Sequence, residues 1–202
     1  MADKIDTSKR HFVMIDNYIY LHHVLDSKGN GTFIVLPSYP ESVQDRLQTT
    51  FSQTNPLSRT APIYSYINSG PRTIDVSLSL HRDMMTQVNY GVSNLPVEIG
   101  DDYVDTLIKQ LQGVALPQYN RSSKLVNPPL ISVRLGNEIF IKGVVTSGIA
   151  VTFKLPLLAN DKYAQVDIAF TVAEVTPYDA SSAMEQGYFR GLDRTLERKL
   201  TT

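Results

Sequence analysis

The chain has 202 residues, 42% of them apolar, a formal net charge of −1 and no cysteine. That length supports one sizeable core or two small ones, and the apolar share excludes a disordered chain. Near-neutral charge argues against a basic nucleic-acid footprint, although local patches remain open, and the missing thiols exclude disulfides, cysteine nucleophiles and cysteine metal sites.

Residues 1–10 are polar. The start, MADKIDTSKRHF, lacks the apolar core of a secretory signal, and no apolar run nears the length of a membrane span. A soluble protein made in the cytoplasm is the expectation. Phe12 to Leu25 fits an early strand or strand pair, and Ser27 to Gly31 is a turn signal. Thr32 to Leu36 is a β-branched and aromatic run that Pro37 stops. Ser38 and Glu41 stand at capping-box spacing and could open a short helix, but Pro40 and Thr49-Thr50 also fit an extended segment, which is the favoured reading.

Residues 53–72, QTNPLSRTAPIYSYINSGPR, read as a long loop, because Pro56, Pro62 and Pro71 forbid a continuous helix. Leu57, Ile63, Tyr64, Tyr66 and Ile67 are too apolar for a solvated linker, so this segment needs a packing partner, its own core or a neighbour. Ile74, Val76, Leu78 and Leu80 then alternate with polar residues, as a half-buried strand does.

Residues 101–113 form the clearest helix. Asp101 or Asp102 can cap it, Tyr103, Val104, Leu107, Ile108 and Leu111 share one face, and Gly113 can end it. From Leu130 to Val175 the alternation predicts three or four antiparallel strands with one buried face. The apolar sets are Val133 and Leu135, then Ile139, Ile141 and Val145, then Ile149, Val151, Phe153 and Leu155, then Val166, Ile168, Phe170 and Val172. Residues 181–202 read as a terminal helix with a stripe of Leu192, Leu196 and Leu200, able to dock on its own domain or on a partner. The expected organisation is a single β domain over 1–180 and a helical extension over 181–202.

No chemistry stands out. His22 and His23 are adjacent, so on a strand they face opposite ways and cannot easily share a metal. His81-Arg82-Asp83 reads as a polar strand terminus, and Asp101-Asp102 as helix caps. Phosphate-loop, dinucleotide, zinc-protease and nucleophile-elbow motifs are all missing. The expectation is a non-enzyme with no catalytic residues, cofactor or metal.

Two stretches carry a resemblance: Leu36 to Met84 and Ile131 to Ala180. Gly70-Pro71-Arg72 before a strand, the Leu135-Gly136 turn, Ile141 to Val145, and Tyr163-Ala164 before Val166 to Val175 resemble baseplate hub and tail-tube proteins of contractile-tailed bacteriophages. The likeness covers most of residues 33–180. It implies a mostly β, α+β fold: an antiparallel sandwich or barrel flanked by a helix, assembled into a hexameric ring. The implied role is structural, at the baseplate hub or tube–baseplate junction of the virion, as a tube initiator or hub-proximal ring. Implied partners are further copies, tail-tube and other baseplate proteins, and viral DNA passing through the lumen without sequence readout; no membrane is implied. Hub proteins of this group often carry a C-terminal LysM module, and this chain has no matching segment, so wall binding is not carried over. The alternatives are a major tail-tube protein and, in a different class, a tail-tip cell-wall-binding or degrading protein. Candidate inter-subunit contacts are Pro56, Leu57, Arg59, Ile63, Tyr64, Tyr66, Leu192 and Leu196.

Overall fold

The computed structural model describes residues 17–25, 31–36, 38–82, 103–119, 126–176, 179–181 and 184. Two early strands, β1 (Asn17–Leu25) and β2 (Gly31–Val35), are followed by the long strands β3 (Ser42–Thr54) and β4 (Ile63–His81). Helix α1 (Tyr103–Val114) and two short strands, β5 (Gln118–Tyr119) and β6 (Val126–Asn127), lead into β7 (Ile131–Leu135), β8 (Ile139–Val145), β9 (Ala150–Leu157) and β10 (Tyr163–Glu174). The protein is therefore mostly antiparallel β with one helix among the described residues. Between Leu130 and Val175, where three or four strands were expected, there are four.

The main sheet has the order β2-β1-β7-β8-β10-β4-β3, with β9 attached to β10. Strand β10 organises it. One edge pairs with β4 over Gln165 to Ala173. The other edge is shared, with β9 along Gln165 to Ala169 and β8 along Val172 to Glu174. The chain crosses between these two partners at Thr146 to Ile149, where the Thr146 amide donates to the Thr171 carbonyl and the Ser147 hydroxyl oxygen accepts from the Thr171 amide. The β8–β10 approach is tight. A Cβ on Gly143 would lie 2.0 Å from the Ala173 carbonyl oxygen, so only glycine fits. No closed barrel forms among the described strands, because β2 and β3 end the order unpaired.

The core lies on one face of this sheet. Ile74, Leu78 and Leu80 of β4 and Val166, Ile168 and Val172 of β10 belong to one buried cluster with Val104, Leu107 and Leu111 of α1, all essentially inaccessible. Burying each such side chain stabilises by about 1.5–3 kcal/mol. The helix was legible from its spacing. Its cap candidates Asp101 and Asp102 lie outside the described residues, and Gly113 does not end it, since the helix runs on to Val114.

Two further expectations are corrected. Strand β7 is buried on both faces, not one. A second, aromatic layer explains this: Tyr18, Tyr20 and Phe33 pack ring on ring, with centroids 5.3 and 4.7 Å apart, opposite the helix-facing residues Ile19 and Ile34. Of the two readings of the segment after Ser38 the extended one holds: the chain goes directly into β3, where β-branched residues and cross-strand pairing with β4 prevail. Residues 53–72 are not a loop but the end of a β-hairpin whose turn spans 55–62.

A candidate subunit interface

The hairpin of β3 and β4 has two halves. Near the body, Val43, Asp45 and Leu47 pair with Val76, Ile74 and Arg72. Here β4 alternates buried and half-buried as expected for a sheet with one covered face. Beyond Arg72 the residues of both strands are largely exposed, and they continue as an arm.

The three prolines explain why the arm forms despite them. Pro56 sits in the turn, where the Arg59 amide donates to the Pro56 carbonyl 3.4 Å away. Pro62 ends the turn. Pro71 lies where the register slips, between the Leu47–Arg72 and Thr49–Ser69 pairs, and a bulge does not need its missing N–H. A second slip at Ile67 pairs Phe51 with Tyr66. The two bulges together keep Leu47, Phe51, Tyr64 and Tyr66 on the continuation of the core-facing side, while Thr50, Ser52, Ser65 and Asn68 take the other.

At its base the arm is clamped. The Arg72 side chain is 6% exposed, and its Nη2 lies 2.6 Å from Asp45 Oδ2. Arg46 Nη2 lies 3.0 Å from Asp75 Oδ2, and the Thr171 hydroxyl donates to Asp75 Oδ1 at 2.6 Å. Beside the clamp opens a groove of about 680 Å³, walled by Leu47, Tyr66 and Pro71 on the arm and by Val175 and Ala180 after β10.

The candidate contacts fall as follows. Leu57 is 98% exposed at the tip, with Arg59 beside it, and Pro56 is half-buried in the turn. Ile63, Tyr64 and Tyr66 are exposed on β4, and Tyr66 meets Phe51 edge-on at 5.6 Å between ring centroids. The structure thus brings six of the eight onto one arm. Leu192 and Leu196 lie outside the described residues. Sequence reasoning missed Leu47 and Phe51 on β3. Val43, Leu47 and Phe51 recur every four positions with Asp45 and Thr49 between them, so period-2 alternation does not mark this strand.

It also missed the state of β9. Its core-facing residue Val151 packs against the core, yet Phe153, Leu155 and Leu157 are exposed, as is Tyr163 across the hairpin. The expected burial of Phe153 and Leu155 is corrected: β9 pairs only with β10 among the described strands, and both side chains are exposed. On the opposite side Lys154 pairs with Asp167, whose carboxyl it holds below the ordinary range, helped by Ser79 and Gln165 against the opposing effect of burial.

The remaining polar clusters are structural. Arg82 reaches Asp105 of α1 at 2.7 Å and the Tyr163 carbonyl at 2.8 Å, and Lys162 reaches the other Asp105 oxygen at 2.7 Å. Burial pushes the Asp105 carboxyl up, but the hydrogen bonds and charges of Lys162 and Arg82 outweigh it and leave it below its ordinary value. His22 bonds the Ser132 hydroxyl and His23 the Leu116 carbonyl, so the two rings face apart. Among the described residues no group of three or more His, Asp or Glu could hold a metal ion, and no helix is long and apolar enough to cross a membrane.

No protein-family model matches the chain, and no curated protein does. Among solved structures, it aligns with a chain from the virion of a native gene transfer agent particle at 11% identity. It also aligns with a chain from the tail of an empty gene transfer agent particle, refined with C6 symmetry, at 15% identity. Each alignment covers 82% of this chain and 96% of the other, with a TM-score of 0.36.

Proposed function

We infer that this chain is a non-enzymatic structural protein of a contractile phage tail, forming a ring at the baseplate hub or tube–baseplate junction. The ring continues the tail tube and anchors baseplate proteins. The observation that carries this reading is the arm: an amphipathic hairpin that projects past the body with Leu57, Tyr64, Tyr66 and Phe51 uncovered. Exposed apolar surface of this kind marks a contact site, and closed ring symmetry covers both such surfaces and free sheet edges. The sequence resemblance over residues 33–180 supplies the family, the hexameric count and the passage of DNA through the lumen. The polar side of the β3-β4-β10-β9 sheet suits such passage, since its cations Arg46 and Lys154 are each paired with an aspartate.

Electron microscopy and light scattering of the purified protein test the reading. Single-layer rings are the expected result. Long filaments would replace it with the major tail-tube protein. Monomers at every concentration, or clearing of a bacterial cell-wall suspension, would overturn it.

A further inference from the structure

The arm tip is one uncovered end of the sheet, and the β9–β10 turn is the other. Because β4 runs antiparallel to β10, the arm extends past Glu174, whereas Leu157 lies opposite Tyr163 at the start of β10. Those ends are about 36 Å apart along β10, from a rise of about 3.3 Å per residue. The arm itself reaches about 30 Å further out by the same rise. No folding-back within one chain can bring the two together.

The ends match in chemistry. The 25 residues from Leu47 to Pro71 carry a single charge, Arg59 at the tip. An exposed hairpin so poor in charge has the composition of an interface centre, where charged residues are depleted. At the far end Leu155 is 71% exposed, with Leu157 and Tyr163 also uncovered. The charges there are largely used: Lys154 pairs with Asp167 and Lys162 with Asp105. Asp161, exposed in the turn at a φ of 61°, forms no ion pair among the described residues. One end therefore offers apolar surface and one cation, the other apolar surface and one anion.

We propose that the arm tip of one copy docks on the β9–β10 hairpin end of the next, with Leu57 and Tyr64 against Leu155, Leu157 and Tyr163, and Arg59 beside Asp161. The contact is heterologous: donor and acceptor are different surfaces, so each copy has one of each to offer. It rests on the reading of the chain as a self-assembling tail component, and it names the partner surface of the arm.

The chain has no native cysteine, so single-cysteine variants test this directly. Leu57→Cys and Leu157→Cys each alter an exposed side chain, and circular dichroism of each checks that the fold is kept. Mixed under mild oxidation, they should give a crosslinked dimer that neither gives alone. Self-crosslinking of Leu57→Cys would mean arm-on-arm contact and would overturn the proposal. Oligomers without the mixed crosslink would overturn it while leaving the self-assembly reading intact. Monomers throughout would remove both. Charge reversal is the second arm of the test: Arg59→Asp or Asp161→Arg should weaken assembly several-fold, and combining them should restore it. Failure of the double variant to recover any assembly also overturns the Arg59–Asp161 pairing.

Discussion

Arg72 and Asp45 grip each other across the base of the arm, with Nε 2.9 Å from Oδ1 and Nη2 2.6 Å from Oδ2. The guanidinium is buried and the carboxylate is partly open to water. Removing the acid leaves a buried cation without its bidentate partner, a more costly change than losing a surface pair. Asp45→Ala should destabilise the protein by about 2 kcal/mol in urea unfolding, less than the 3–5 kcal/mol of a fully buried pair because water reaches this side. Amide exchange at Leu47 and Arg72 should quicken more than at Ile168.

Acid should loosen the helix from the sheet. The folded Asp105 carboxyl titrates below its ordinary value, so its contribution is fully present above that ordinary value and is lost as pH falls through the folded one. Asp167 behaves in the same sense. Urea midpoints should hold steady from neutral pH to about 5 and then drop below about 4. Asp105→Asn should lower the neutral midpoint and flatten the acid drop. An unchanged acid limb in that variant would mean that Asp105 is not a principal acid-sensitive group.

Gly143→Ala should be among the most damaging small substitutions. Its methyl group would meet the Ala173 backbone, which is held by β4 on its other edge and cannot retreat freely. A cost of about 2–3 kcal/mol is expected from overpacking. Gly113→Ala is the control: a Cβ there meets nothing within 4 Å, and helix propensity favours alanine. A thermal melt should move down for the first and stay level or rise for the second.

Replacing Phe51 and Tyr66 together by serine should separate assembly from folding. Both are exposed, so the body should lose less than about 1 kcal/mol. Rings should disappear from micrographs while the melt of the dispersed protein barely changes. Unfolding of the double variant would instead make this pair part of the monomer's own core.

The strands from Ile131 onward were readable because the covered face of a sheet imposes period-2 alternation directly on the sequence. Helix α1 was readable through Val104, Leu107 and Leu111 for the matching reason. The arm was not, because proline at 56, 62 and 71 looks like a run of breaks until a turn and a bulge are seen to need those residues. Burial is harder still to read. Phe153 and Val151 sit two positions apart on the same side of β9, yet only Val151 is covered. That difference is a matter of tertiary packing, which the alternation of one strand does not record. The interface was legible in kind, from Leu57, Tyr64 and Tyr66, but not in extent, since Leu47, Phe51 and Leu157 become surface features only once the sheet order is known.

Strand β4 is both the inner leg of the arm and a central strand of the body, bonded to β10 through nine consecutive residue pairs. Ladder hydrogen bonds lie across the strands. A pull on the arm along its length therefore loads all nine pairs in shear at the same moment, rather than peeling them open one after another. Tension entering at the tip is carried straight into the centre of the subunit, as a tenon carries load into its mortise, and the arm should hold under forces that would unzip an edge hairpin.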